Sequence, residues 1–442
     1  MAKIMDEWQQ SFGLSLLANC ASTCTIPVSA ANGLESARQE AETLLTAIMQ
    51  DKLAKYLECY LNPHTPSETW SVVWGPQVVT VGPHGEVEAG VYSFTPTNSM
   101  FVASNGVRDV VAIAATNGNS KFDWLVEDFM TSPGIEWSTA MTLWNLLADL
   151  NQSWTFDEVN QKLAVLKEGN PGTPDPTVPT VAFGGVVGIS LLLGAMKDAT
   201  HGGLVQFLNQ RRLPITVAGH SLGGALAPQL GLALIDREQP LLTKAPDVTV
   251  YATAGASPGN VAFAQYYLQH LPVKTEADRW QVWNGVLANR FDLVPAAFTE
   301  STVLGWAKAM VLSGEFEYEA IKYAWKDAKA LAEVAAATAV VIGLGKVFAE
   351  KHGSFAHLGP DLQSVPLNPD AGPFLDFYWQ FGNEIKTLRQ ALPSEWPQRV
   401  PLSLGEQFDK QHVMAYEQMI LAGFGFCGFT TDCNCEDCPK HQ

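Results

Sequence analysis

Short apolar runs separated by helical stretches dominate the middle of the chain. Asp109 to Ala115 (D-V-V-A-I-A-A), Pro214 to Ala218 (P-I-T-V-A) and Asp247 to Ala254 (D-V-T-V-Y-A-T-A) keep apolar residues at both alternating positions. That pattern predicts strands covered on both faces. Val181 to Lys197 leads into a helix before the second run, and helices are expected after it (through Ala225 to about Asp236) and after the third (from Val261). A further strand, Trp280 to Val286, runs toward Asn289-Arg290-Phe291-Asp292-Leu293-Val294-Pro295. Strand and helix alternating in this way predict an α/β fold with a mostly parallel, doubly wound central sheet. Polar residues just past the strand ends then gather along one edge of the sheet.

Around this centre the pattern changes. The first sixty residues read as helical, with an amphipathic stretch from Leu34 to about Cys59 that Asn62-Pro63-His64-Thr65-Pro66 ends. Strand-like runs follow at Trp70–Val79, Glu88–Phe94 and Met100–Ser104, punctuated by Gly75-Pro76, Gly82-Pro83 and Pro96, and predict antiparallel strands that open the sheet. These signals divide the chain into an N-terminal helical segment, 1–66, and a main domain, 67–442. The domain carries helical insertions at about 130–180 and 296–351, read either as core or as a lid or cap. The centre of the second insertion, Val334 to Gly345, is almost wholly apolar but too short to span a bilayer.

Composition narrows the function classes. The 442 residues are 47% hydrophobic and 16% charged, with a net charge of −18. Such an acidic balance argues against nucleic acid as a partner and against attraction to anionic membranes. No transmembrane helix is expected, and Met1 to Glu7 shows no basic region leading into an apolar core. The default compartment is therefore cytoplasmic, with export left open. Cys20, Cys24 and Cys59 lie near the start, whereas Cys427, Cys433, Cys435 and Cys438 crowd a terminal tail, 427–442. That tail admits zinc, disulfides or free thiols, and its spacing matches no common zinc site. No metal and no cofactor is expected at the site.

The chemistry concentrates in Gly219-His220-Ser221-Leu222-Gly223-Gly224, a G-x-S-x-G pattern between the second apolar strand and its helix. A serine on so sharp a turn occupies strained backbone, so its flanks must be nearly free of side chains. The turn exposes the hydroxyl and aims the Leu222 N–H, at the positive end of the new helix, toward a developing oxyanion. A serine needs a base, and the base a carboxylate to fix its tautomer. Asp292 ends the next-but-one predicted strand and is the candidate acid. His412 opens a helix after the loop Pro401 to Gln411 and is the preferred base over His357, which falls in an apolar strand-like run. His352 reads as a surface residue before Gly353-Ser354, His441 lies in the tail, and the turn points the side chain of His220 away. Thr116, just past the first apolar strand, is the candidate second oxyanion donor.

The stretches V-V-A-I-A-A-T, G-H-S-L-G-G-A-L-A, G-A-S-P-G-N-V-A-F and N-R-F-D-L-V-P, in this order, resemble the class 3 (fungal-type) lipase family of α/β hydrolases over about residues 100–300. A looser likeness at H-V-M-A-Y adds His412. The resemblance implies the α/β-hydrolase fold and a serine carboxylic-ester hydrolase using Ser221, Asp292 and His412, with Thr116 and Leu222 at the oxyanion. It implies a lipophilic ester such as an acylglycerol as substrate, with transient contact at a lipid interface. The family usually has Arg-Gly ahead of the oxyanion residue, where this chain has Ala114-Ala115 and so lacks that ion pair. Alternatives on the same fold are a phospholipase, a polyester hydrolase, an acyltransferase or a non-catalytic lipid-binding protein.

Overall fold

The structure, a computed structural model, describes residues 3–22, 24–80, 90–115, 132–149, 154–169, 175–244, 247–278, 280–288, 292, 294–295, 349–353, 355–356, 358, 412–413, 415–421 and 424. Thr116, His357, the cysteine tail and nearly all of the second insertion lie outside these residues.

A six-stranded sheet organises the molecule. Its strands are β1 (Ser71–Val79), β2 (Asn98–Ser104), β3 (Asp109–Ile113), β4 (Ile215–His220), β5 (Val248–Thr253) and β6 (Val286–Leu287). They lie side by side in chain order. β1, β2 and β3 pair antiparallel, and β3 through β6 pair parallel. The parallel centre and two of the expected opening strands match the sequence expectation, but Val91–Phe94 pairs instead with Ile26–Ser29, a strand within the stretch expected to be helical, in a separate two-stranded sheet.

Helices cover both faces, which explains the unbroken apolar runs. The helices are α1 (Glu7–Leu17), α2 (Leu34–Tyr56), α3 (Trp137–Leu147), α4 (Phe156–Gly169), α5 (Phe183–Gly194), α6 (Leu204–Gln210), α7 (Leu222–Ile235), α8 (Val261–His270) and α9 (Ala415–Leu421). Side chains alternate across each strand. Val111 and Ile113 of β3 and Val217 of β4 pack in one core with α3, α5 and α7. Val110 and Ala112 of β3 and Ala218 of β4 face the other way, into a core built with α1, α2 and α9.

Helix α1 buries nearly every residue, including the polar Gln9, Gln10, Ser11 and Ser15. A capping box fixes its start: the Asp6 carboxylate accepts from Gln9 N–H at 2.8 Å, and Gln9 Oε1 accepts from Asp6 N–H at 3.0 Å. Its buried Ser11 and Ser15 donate to the helix's own carbonyls, so they enter the core without unpaired hydroxyls.

Two local expectations change. The single strand expected at Trp280–Val286 is split: Val282–Trp283 pairs antiparallel with Lys274–Thr275, and only Val286–Leu287 joins β5. Asn284, between them at φ 61°, turns the chain, and its side chain and backbone both bond Val250. His352, expected at the surface, is 5% exposed. Its ring sits against Gly134, where a Cβ would collide with it.

Cys24 is a free thiol, and Cys59 is disulfide-bonded. Among the described residues no helix is long and apolar enough to cross a membrane, and no group of His, Cys, Asp or Glu could hold a metal ion.

Candidate active site

The site grows from the end of β4. Ser221 has φ 57° and ψ −122°, a conformation that costs a non-glycine residue roughly 1–3 kcal/mol. The surroundings hold it there: Ser221 N–H donates to the Thr253 carbonyl at 2.9 Å, and the Ser221 carbonyl accepts from Ala225 N–H at 3.0 Å. A Cβ on Gly219 would strike the Gly223 carbonyl, one on Gly223 the Ile113 carbonyl, and one on Gly224 the Thr253 carbonyl. Each glycine of the motif is thus required by a backbone that passes too close for any side chain. Leu222 is the first residue of α7, where a backbone N–H has no acceptor inside the helix.

Around Ser221 the structure brings together two of the other residues singled out by the sequence. His412 Nε2 is 2.6 Å from Ser221 Oγ, and His412 Nδ1 is 2.9 Å from both carboxylate oxygens of Asp292. All three side chains are buried, Asp292 completely. A carboxylate on Nδ1 fixes the proton there and leaves Nε2 as an acceptor for the serine hydroxyl. Asp292 Oδ1 also accepts from Val294 N–H at 3.0 Å, and Oδ2 from Tyr416 Oη at 2.9 Å. Tyr416 lies four residues beyond His412, on α9. The i, i+4 spacing of H-V-M-A-Y at a helix start carried the signal for this bond, since it sets both side chains on one face.

His220 extends the polar cluster. It is 2% exposed, its Nδ1 lies 2.9 Å from Thr253 Oγ1, and its ring lies 5.2 Å from that of His412 and 5.3 Å from that of Tyr416. Phe12 of α1 meets it edge-on. Burial, and then the neighbouring His412, push its pKa well below the ordinary value, against a backbone hydrogen bond to His412. His220 is accordingly neutral, so it places no positive charge beside the imidazolium that His412 becomes on taking a proton.

Residues 150–301 match the family model for lipase (class 3). Among solved structures, M37 lipase is similar over 94% of this chain and 92% of its own, at 21% identity and a TM-score of 0.54. Lip2 lipase from Yarrowia lipolytica is 14% identical over 67% of this chain and 76% of its own, with a TM-score of 0.33. The lipase of Rhizopus microsporus var. chinensis is 14% identical over 65% and 67%, with a TM-score of 0.27. No curated protein matches the chain. Residues 150–301 are thus similar to class 3 lipases, and the likeness to M37 lipase shows a shared fold.

Proposed function

We propose that the chain is a serine carboxylic-ester hydrolase acting on lipophilic esters such as acylglycerols, with Ser221 as nucleophile, His412 as base and Asp292 as its orienting acid. The observation that carries this reading is the continuous hydrogen-bonded series from Ser221 Oγ through the His412 ring to the Asp292 carboxylate. His412 Nε2 takes the hydroxyl proton as Ser221 Oγ attacks the ester carbonyl carbon. The carbonyl π pair moves onto oxygen, and the anion is met by the Leu222 N–H and by Thr116, the donor assigned to the residue after the oxyanion strand. Collapse of this intermediate breaks the bond to the alcohol oxygen, which leaves with the proton from His412. Water, deprotonated by the same Nε2, then attacks the acyl-serine and releases the fatty acid. Asp292 stays ionised throughout and stabilises the imidazolium. The likeness of residues 150–301 to class 3 lipases supports a lipophilic ester as substrate.

The test is hydrolysis of p-nitrophenyl esters from acetyl to palmitoyl by the wild type, Ser221→Ala and His412→Ala, with fluorophosphonate labelling read by mass. Both variants should lose about 10⁴-fold or more in kcat. Only chains keeping Ser221 should carry the adduct. A profile that collapses beyond butyryl would sink the lipophilic-ester reading. A wild type that neither hydrolyses nor labels would favour a non-catalytic lipid-binding protein.

A further inference from the structure

We infer that Asn19, on the turn that follows α1, is a positioning residue that fixes the end of β3 at Ala115, directly ahead of the proposed oxyanion donor. This rests on the reading above, in which an oxyanion donor follows directly after β3. β3 pairs with β4 as far as Ile113, opposite Gly219 of the elbow, and the chain then leaves the sheet. The Ile113 and Ala114 carbonyls lie against Gly223, so this strand end abuts the nucleophile turn itself. Two bonds govern where it goes next. Ala114 N–H donates to the Ser99 carbonyl of β2 at 3.0 Å, and Ala115 N–H donates to Asn19 Oδ1 at 2.9 Å.

Neither alanine has a side chain able to fix the loop, so the carboxamide of a residue 96 positions away in the chain does so. Asn19 is itself firmly held. Its N–H donates to the Leu16 carbonyl at 3.0 Å, and the preceding Ala18 carbonyl accepts from Ser99 Oγ at 2.5 Å. The same β2 residue, Ser99, therefore grips both the Asn19 turn and the end of β3, and the three form one clamp beside the elbow.

An oxyanion donor acts only where it is preorganised. Losing one costs about 10²–10³-fold in kcat, and a shift of about 1 Å in a catalytic group can cost about 10²-fold. Asn19 touches no reacting atom, so its effect is confined to the transition state. Asn19→Ala should lower kcat by about 10–100-fold and leave KM within about twofold.

The experiment compares wild type, Asn19→Ala and Asn19→Ser, whose hydroxyl is too short to reach Ala115, on p-nitrophenyl esters. Rates are normalised to the fraction of chains labelled by fluorophosphonate at completion. A trifluoromethyl ketone, whose hemiketal oxyanion occupies the donor site, supplies the second readout. Its inhibition constant should rise by the same factor as kcat falls, a parallel that a generally loosened fold would not produce. The inference is overturned if the normalised kcat is unchanged, if KM rises as kcat falls, or if lost labelling accounts for all the lost activity. A wild type inert to esters and fluorophosphonate alike would instead overturn the hydrolase reading.

Discussion

Tyr416 donates to the carboxylate bonded to His412, the proposed base, and Asp292 keeps two further donors if that hydroxyl is removed. A hydrogen bond to a charged acceptor contributes roughly 1.5–3 kcal/mol. Part of this is recovered because Asp292 stays bonded, so Tyr416→Phe should lower kcat by about 5–20-fold with KM nearly unchanged, as steady-state ester kinetics would read. A wild-type kcat in this variant would show that His412 and Val294 suffice. At this scale, sequence and structure meet unevenly. Ser221 can be read from two glycines because the elbow forbids side chains on both sides. Asp292 and His412 can be read from a strand end and a loop-to-helix junction. Asn19 gives no signal: an asparagine after a helix is common punctuation, and its partner amide lies far along the chain.

Elements differ in how their glycines are used. Gly223 in α7 faces the carbonyls of Ile113 and Ala114, backbone that cannot yield without moving β3. Gly13 in α1 is also buried, yet a Cβ there meets nothing within 4 Å. The same substitution should therefore act with opposite sign. Gly223→Ala should destabilise by about 3 kcal/mol, as overpacking does. Gly13→Ala should stabilise by up to about 1 kcal/mol through helix propensity. Urea unfolding midpoints of the two variants check both. The β4–turn–α7 unit was legible because its apolar run, small-residue turn and Ala/Leu helix are contiguous. The strand expected at Trp280–Val286 was not legible as two pieces, since its break at Asn284 depends on hydrogen bonds to Val250 of β5. His352 is buried only because Gly134, over two hundred positions earlier, leaves room for its ring.

Across the whole molecule, buried histidines link stability to pH. His220 and His352 both have pKa values lowered chiefly by burial, from an ordinary value near 6.5. As the pH falls below about 6.5, the unfolded chain binds protons that the folded chain refuses. Stability is therefore full above that value and declines with acid, by at most about 1.4 kcal/mol per pH unit per histidine. Urea midpoints between pH 8 and 5 should fall, and His220→Gln should flatten the decline. An unchanged slope in that variant would assign the effect to other groups. The parallel centre and both-face covering of this sheet were readable from hydrophobic patterning, whereas the sequential strand order was not. The docking of α1 beneath the edge that carries Ser221 was not, because a helix that buries polar and apolar residues alike has no apolar stripe pointing to a partner. That docking has a consequence for synthesis. Gln9 Nε2 of α1 donates to the Ile420 carbonyl of α9 across 411 positions, and Ser221 meets its base across 191. Helix α1 is thus tied to a helix made 411 positions later. On the proposed reading, a growing chain that lacks residues 412–421 has Ser221 but not His412, so ester hydrolysis should begin only once they emerge.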